Sequence, residues 1–259
     1  MFTRLIQRAL PPGLTFRPGA LAVPSQCAVC LSWPADAVCA PCIARFAAPT
    51  LRCERCALGL PDDLSFGLRA GPPLCGPCAV SPPPLDITRA ALPYAYPWST
   101  LIAAYKFRDQ HGWADFFAGL LLRSAGVREL LADLSPDDWL LPIPLSAERL
   151  ETRGFNQAWL LARALAKRSH TPAQIDARLL LRVRHTRPQS QLKREARLAN
   201  VKGAFVVEPL RQPALDGRRV VLVDDVMTSG ASLFTAAQAL RDAGASHVSA
   251  VVLARTAAG

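Results

Sequence analysis

Four Cys-x-x-Cys pairs fall within the first 78 residues, at Cys27/Cys30, Cys39/Cys42, Cys53/Cys56 and Cys75/Cys78, and no cysteine is left over. A two-residue spacing lets both sulfurs of a tight turn face one tetrahedral ion, and two such knuckles complete a four-thiolate shell. Four knuckles predict two ions, with zinc as the metal. No His and no open-site ligand occurs at these spacings, so both sites read as structural. Pairing in chain order closes the shortest loops, and interleaved pairing satisfies the same ligand count. A disulfide framework would need an exported context. A thioredoxin-like redox site would need one motif at a helix start rather than four copies. A section this short, with few aliphatic side chains, depends on metal binding for the folding free energy that its small core cannot supply.

The 259 residues hold one large domain or two modest ones, and an apolar fraction of 51% can fill a core. Pro82, Pro83 and Pro84 form a stiff connector. The expected organisation is an amino-terminal extension over 1–24, a double zinc ribbon over 25–84 and a larger domain over 85–259. The longest apolar stretches, such as Phe116 to Leu122, fall far short of the roughly 18 residues of a membrane span. Arg4, Arg8 and Arg17, with Pro11 and Pro12 interrupting the apolar run, do not make a signal peptide. The expectation is a cytoplasmic protein without membrane insertion.

Formal charge is +10, which suits an anionic partner, either a phosphorylated metabolite or nucleic acid. Its distribution is uneven. Arg178 to Lys202 holds eight basic residues (Arg178, Arg182, Arg184, Arg187, Lys193, Arg194, Arg197 and Lys202) against the single acid Glu195. A solvated surface loop would also look like this.

Beyond residue 85 the pattern alternates between helices and short strands. Apolar residues recur at three- and four-residue spacing over Ser99 to Phe107 and Trp113 to Arg123, as in amphipathic helices. Trp139 to Leu141 reads as a strand closed by Pro142-Ile-Pro144, and Asn156 as the N-cap of a helix over Gln157 to Arg168. Leu179 to Val183 and Ala204 to Val207 are strand candidates flanking the basic segment. Arg219 to Val223 is a buried strand, Ser232 to Ala243 a helix ended by Gly244, and Val248 to Leu253 a second strand. Strand, crossover helix and strand imply a parallel sheet, hence an α/β three-layer sandwich.

The most informative stretch is Val220-Val-Leu-Val-Asp-Asp-Val-Met-Thr-Ser-Gly-Ala-Ser232, where a parallel strand turns into a helix. Open α/β sheets bind ligands at that carboxyl edge. Thr228, Ser229, Gly230, Ala231 and Ser232 are all small, so the backbone can curl around an anion with its amides pointing inward at a helix N-terminus. Asp224 and Asp225 sit just before this cradle, a poor place for carboxylates if phosphate were the only ligand. A ribose ring between them resolves the conflict, its vicinal hydroxyls donating to the acids while the 5′-phosphate lies in the loop and Mg2+ bridges the remaining charge. A turn and N-cap role for the acids is the plainer alternative.

This signature resembles the phosphoribosyl-diphosphate (PRPP) motif of type I phosphoribosyltransferases. Leu141-Pro-Ile-Pro-Leu-Ser-Ala-Glu-Arg-Leu-Glu-Thr-Arg-Gly-Phe-Asn-Gln-Ala158, Arg184-His-Thr-Arg-Pro-Gln-Ser-Gln-Leu-Lys-Arg-Glu-Ala-Arg-Leu-Ala-Asn200 and the cysteine section are similar to blocks of the ComF family of competence-related proteins. The resemblance implies a phosphoribosyltransferase-like sheet. It makes Asp224 and Asp225 the ribose and metal acids and Thr228 to Ser232 the phosphate cradle. Arg149 and Arg153 would lie by the pyrophosphate, under a flap formed by Arg184 to Arg197. It also implies a role in DNA uptake, with single-stranded DNA and a competence helicase as possible partners. Arg184, Arg187, Lys193, Arg194 and Arg197 are the candidate DNA contacts, although that segment lacks aromatic residues for base stacking. No residue is assigned to an acceptor substrate, so the sequence leaves transferase activity and binding without catalysis both open.

Overall fold

The apolar run at Arg219 to Val223 has no polar alternation, as expected of a strand covered on both faces, and it forms the centre of a parallel sheet. The computed structural model describes residues 25–61, 71–107, 110–183 and 203–257. Five parallel strands lie in the order β1 (Thr88–Pro93), β7 (His247–Arg255), β6 (Arg219–Met227), β2 (Trp139–Pro142) and β3 (Gln174–Ile175). A separate antiparallel pair joins β4 (Leu180–Arg182) to β5 (Phe205–Val207). The expected strands are therefore present, with β1 and β3 added.

One expected boundary differs. β6 continues past Val223 to Met227 because β7 keeps pairing with it, through Asp224↔Val252, Val226↔Ala254 and Met227↔Arg255. The two aspartates thus lie on the strand itself rather than in the loop that follows.

Successive strand residues face opposite sides. Trp139, Leu141, Val220, Leu222, Val248, Ala250 and Val252 pack with α8 (Ala231–Asp242), whose Leu233, Ala236, Ala237 and Leu240 are buried at helical spacing. Leu140, Val221, Val223 and Val251 alternate with them and are also buried. That side is covered by α4 (Trp113–Arg123) and α7 (Gln157–Ser169), which contact each other and the strands. Helix, sheet and helix give the three layers. No helix among the described residues is long and apolar enough to cross a membrane.

The chain divides into two compact units at Arg45/Phe46. In the first, Cys27, Cys30, Cys39 and Cys42 bring their sulfurs within 4.8 Å of one another, Cys42 lying on α1 (Ala40–Phe46). In the second, Cys53, Cys56, Cys75 and Cys78 do the same, Cys78 lying on α2 (Gly76–Val80). Chain-order pairing is the arrangement present. The second cluster shares one apolar core with the sheet and α8. Polar contacts reinforce this attachment: Thr88 N–H donates to the Glu54 carbonyl at 2.7 Å and Thr88 Oγ1 to the Arg55 carbonyl at 2.8 Å. Arg55 in turn donates to the Leu85 carbonyl at 2.8 Å.

Asn156 caps α7 as expected. Its Oδ1 accepts from Ala158 N at 2.9 Å and Trp159 N at 3.4 Å, while its Nδ2 donates to the Ile143 carbonyl at 3.1 Å, tying the helix start to the chain leaving β2. Asn156→Ala removes both interactions and is expected to lower the unfolding free energy by about 1–2 kcal/mol. Asn156→Asp keeps the cap and loses only the donor to Ile143. A smaller loss is expected for it in the same urea titration, provided the two variants show equal m-values.

Candidate functional site

The parallel strands deliver their carboxyl ends to one edge, and most of the chemistry-bearing side chains gather there. β6 supplies Asp224 and Asp225, which point to opposite faces by strand alternation. Asp225 is 2% exposed, yet it is not isolated: Lys106, near the end of α3 (Trp98–Phe107), places Nζ 3.0 Å from Asp225 Oδ2. Tyr105, the preceding residue, is fully buried and donates its hydroxyl to the Gln157 carbonyl at 2.6 Å. Burial and, second, the Asp225 charge push the Tyr105 phenol well above its ordinary value, so it remains a proton donor.

Asp224 is raised above the usual carboxylate range by burial first and by the neighbouring Asp225 charge second. Lys106 and the Asp225 N–H, which donates to Asp224 Oδ1 at 2.9 Å, act in the opposite direction. Two acids held this close favour a ligand that brings hydroxyl donors or positive charge. The donor set therefore fits both a diol and a hard cation bound through oxygen.

Opposite the acids stands a group of arginines. Arg149 and Arg153 lie on α6 (Ala147–Arg153), a short helix that begins just after the Pro142–Ser146 stretch. Arg153 donates to Gln157 Oε1 and stacks its guanidinium over the Phe107 ring, 4.9 Å from the centroid. Burial lowers the Arg153 pKa, and Arg149 adds to that lowering while Asp225 and Asp224 oppose it. Arg182, on β4, joins the same field. Its pKa is pulled down to about 10 by burial first and by Arg149 second, against the pull of Asp224. Three like charges gathered around two acids are what a site for a multiply charged anion requires.

The small-residue loop is built as its sequence suggests. Gly230 has φ +83°, a left-handed conformation, and immediately precedes α8. A Cβ there would lie 2.6 Å from Phe234 Cζ and 2.7 Å from Met227 Cε, so both backbone angle and space demand glycine. Ser229 Oγ accepts weakly from Ala231 N at 3.4 Å. Behind the loop, Arg255 donates to the carbonyls of Met227 and Thr228.

Of the residues expected at the site, Asp224 and Asp225 lie on β6, the loop from Thr228 to Ser232 follows it into α8, and Arg149 and Arg153 lie on α6, with Arg153 near enough to both acids to feel their charges. Sequence reasoning missed Lys106, Tyr105 and Arg255, and it counted Arg182 only as one of a charged run. A lysine ending the apolar stripe of an expected helix, and an arginine ending an otherwise apolar strand, were the available signals. Neither reveals its partner without the fold. Arg184, Arg187, Lys193, Arg194 and Arg197 lie outside the described residues.

The cysteine clusters have a matching electrostatic signature. In the first, burial works against ionisation of Cys27, but N–H groups of Cys30, Cys39 and Val29 outweigh it and bring the thiol to about 6; Cys42 is pushed up to about 12 by burial. In the second, hydrogen bonding from Cys56 is the main cause lowering Cys53 to about 4, whereas Cys78 is pushed up to about 12 by burial. Four touching sulfurs cannot all ionise without a cation among them. Both clusters could hold a tetrahedral metal ion.

Gly230→Ala is expected to cost about 1–3 kcal/mol, because it adds a left-handed alanine to a crowded position. Thermal or urea unfolding measures the loss, and circular dichroism should show the secondary structure retained.

Comparison with known proteins agrees with this geometry. The phosphoribosyl transferase domain family matches residues 145–259. The DNA utilization protein YhgH of Escherichia coli O157:H7 is 32% identical over 239 residues, 91% of this chain and 99% of the relative. Competence protein F of Haemophilus influenzae is 33% identical over 182 residues, covering 70% of this chain and 78% of its own. Competence protein ComFC of Bacillus subtilis is 37% identical over 118 residues, 45% of this chain and 44% of its own. With a parallel sheet that carries paired acids near its carboxyl edge and a glycine-bent loop after them, and with a relative matched over 99% of its own length, the chain belongs to the ComF family of phosphoribosyltransferase-like proteins.

Proposed function

We propose that the protein binds PRPP, or the ribose 5-phosphate moiety of a related nucleotide, together with Mg2+, and that it serves DNA uptake. The observation that carries this reading is the meeting of three chemically different surfaces at one sheet edge: the Asp224/Asp225 pair, the bent loop at Gly230, and the Arg149, Arg153 and Arg182 group. Main-chain amides from Thr228 to Ser232 hold the 5′-phosphate at the start of α8, where the helix dipole favours negative charge. Asp224 and Asp225 accept hydrogen bonds from the ribose hydroxyls and hold the magnesium ion. The three arginines draw in the diphosphate and fix its orientation by electrostatic attraction. When bound, the magnesium ion neutralises charge on the diphosphate, which is the leaving group in phosphoribosyl transfer. Lys106 neutralises Asp225 in the ligand-free protein, so binding exchanges one cationic neighbour for another. Two structural zinc ions complete the cysteine clusters.

Calorimetric titration with PRPP and Mg2+ tests the reading. The wild-type protein should bind with a requirement for Mg2+, and Asp225→Asn should weaken binding by at least about tenfold, the loss of one charge-assisted contact. Equal binding by wild type and Asp224→Asn/Asp225→Asn, or no binding by either, rejects it.

A second reading of the same protein, as an accessory that binds single-stranded DNA without catalysis, is motivated by the eight basic residues between Arg178 and Lys202; the relatives' names, a DNA utilization protein and a competence protein, fit a DNA-related role and go no further. Affinity for an oligonucleotide should then fall steeply with salt. Neutralising Arg184, Arg187, Arg194 and Arg197 together should weaken binding and flatten that dependence. Affinity indifferent to salt would remove the physical basis of this reading.

A further inference from the structure

We propose that Arg255 is a positioning residue through which the second cysteine cluster sets the conformation of the phosphate loop. Arg255 is the last residue of β7 and is 8% exposed. Its Nε donates to the Cys56 carbonyl at 2.9 Å. Its Nη1 turns the other way, into the start of the loop, and donates to the Met227 carbonyl at 3.2 Å and to the Thr228 carbonyl. The same nitrogen reaches the carbonyl of Thr256 at 3.0 Å and its Oγ1 at 3.1 Å. Thr256 closes the arrangement, its N–H donating to the Met227 carbonyl at 3.1 Å and its hydroxyl to the Thr228 carbonyl at 3.4 Å.

One planar guanidinium thus joins a metal-ligating turn to the two residues that open the anion cradle. A peptide unit has its carbonyl and N–H on opposite sides, so anchoring the Met227 and Thr228 carbonyls behind the loop helps to aim the following N–H groups outward, toward the ligand. The turn at the far end has its own constraints. Cys53 N–H donates to the Leu58 carbonyl at 2.8 Å, and Ala57 N–H to the Cys53 carbonyl at 2.7 Å. Arg52 approaches from that side, donating to the Ala57 carbonyl at 3.1 Å. Lysine cannot reproduce this arrangement, because a single ammonium lacks the fixed fork that serves two directions at once. A metal ion held by Cys53, Cys56, Cys75 and Cys78 would thus also fix the Cys56 carbonyl from which Arg255 braces the loop.

The proposal rests on the reading of the loop as a phosphate cradle only for its ligand, and the test separates the two. Hydrogen exchange of the loop amides at 229–232 is measured without ligand in wild type, Arg255→Ala and Arg255→Lys, each first checked by elemental analysis for two zinc ions per chain. Expected are exchange at least about tenfold faster in Arg255→Ala and an intermediate increase in Arg255→Lys, with both zinc ions retained and the β7 amides protected as in wild type. Ribose 5-phosphate affinity should fall in the same order. Unchanged loop exchange in a folded, zinc-loaded Arg255→Ala overturns the proposal. If that variant does not fold, unchanged exchange in Arg255→Lys does so. Failure of wild type to bind ribose 5-phosphate or PRPP would sink the proposed ligand and leave the exchange result to decide the bracing role.

Discussion

The parallel pairing of β6 with β7 is the constraint from which the site follows. Its ladder runs from Arg219↔His247 to Met227↔Arg255, so neither strand can shift without breaking every bond of the pair and exchanging the residues packed against its two covered faces. The register brings Asp224 and Asp225 to the second half of one strand and Arg255 to the end of its neighbour. It also brings the chain out of the sheet at Met227, where the short loop to α8 must reverse direction. Gly230 makes that reversal possible, and the filled space around it, bounded by Phe234 and Met227, leaves little freedom for another path.

Electrostatics then determine what such an edge can accept. Burial first, and the neighbouring Asp225 charge second, raise the Asp224 pKa. Burial first, and the charge of Arg149 after it, lower the pKa values of Arg153 and Arg182. Each group is partly relieved by the other, but hydroxyl donors at the acids and a polyanion at the arginines would relieve both.

The cysteine clusters show how similar sequence motifs acquire different structural roles. Cys27, Cys30, Cys39 and Cys42 belong to the smaller unit, where Cys30 is exposed. Cys53, Cys56, Cys75 and Cys78 are all buried and contribute to the core beneath the sheet. The second cluster is thus part of the sheet's own packing. Bonds donated by the Thr88 N–H and hydroxyl to the Glu54 and Arg55 carbonyls, and by Arg255 to the Cys56 carbonyl, attach it at two places along the strands.

Local patterns were legible because their physics is local. Cysteine spacing, the Asn156 cap, the helical apolar stripes and the run of small residues from Thr228 to Ser232 each depend on neighbours a few positions away, and each appears in the structure where the chain places it. The extension of β6 through Asp224 and Asp225 was not legible, because two charged residues read as the end of a strand until β7 is seen pairing beside them. Lys106 meets Asp225 across 119 positions of sequence, and Arg255 meets Cys56 across 199. The sequence by itself determined which residues could bind metal and phosphate, through short-range geometry. Which cysteines joined the main core, and which cations stood beside Asp225 and the loop, was decided by the tertiary structure, because long-range contacts depend on sheet order and register rather than on spacing along the chain.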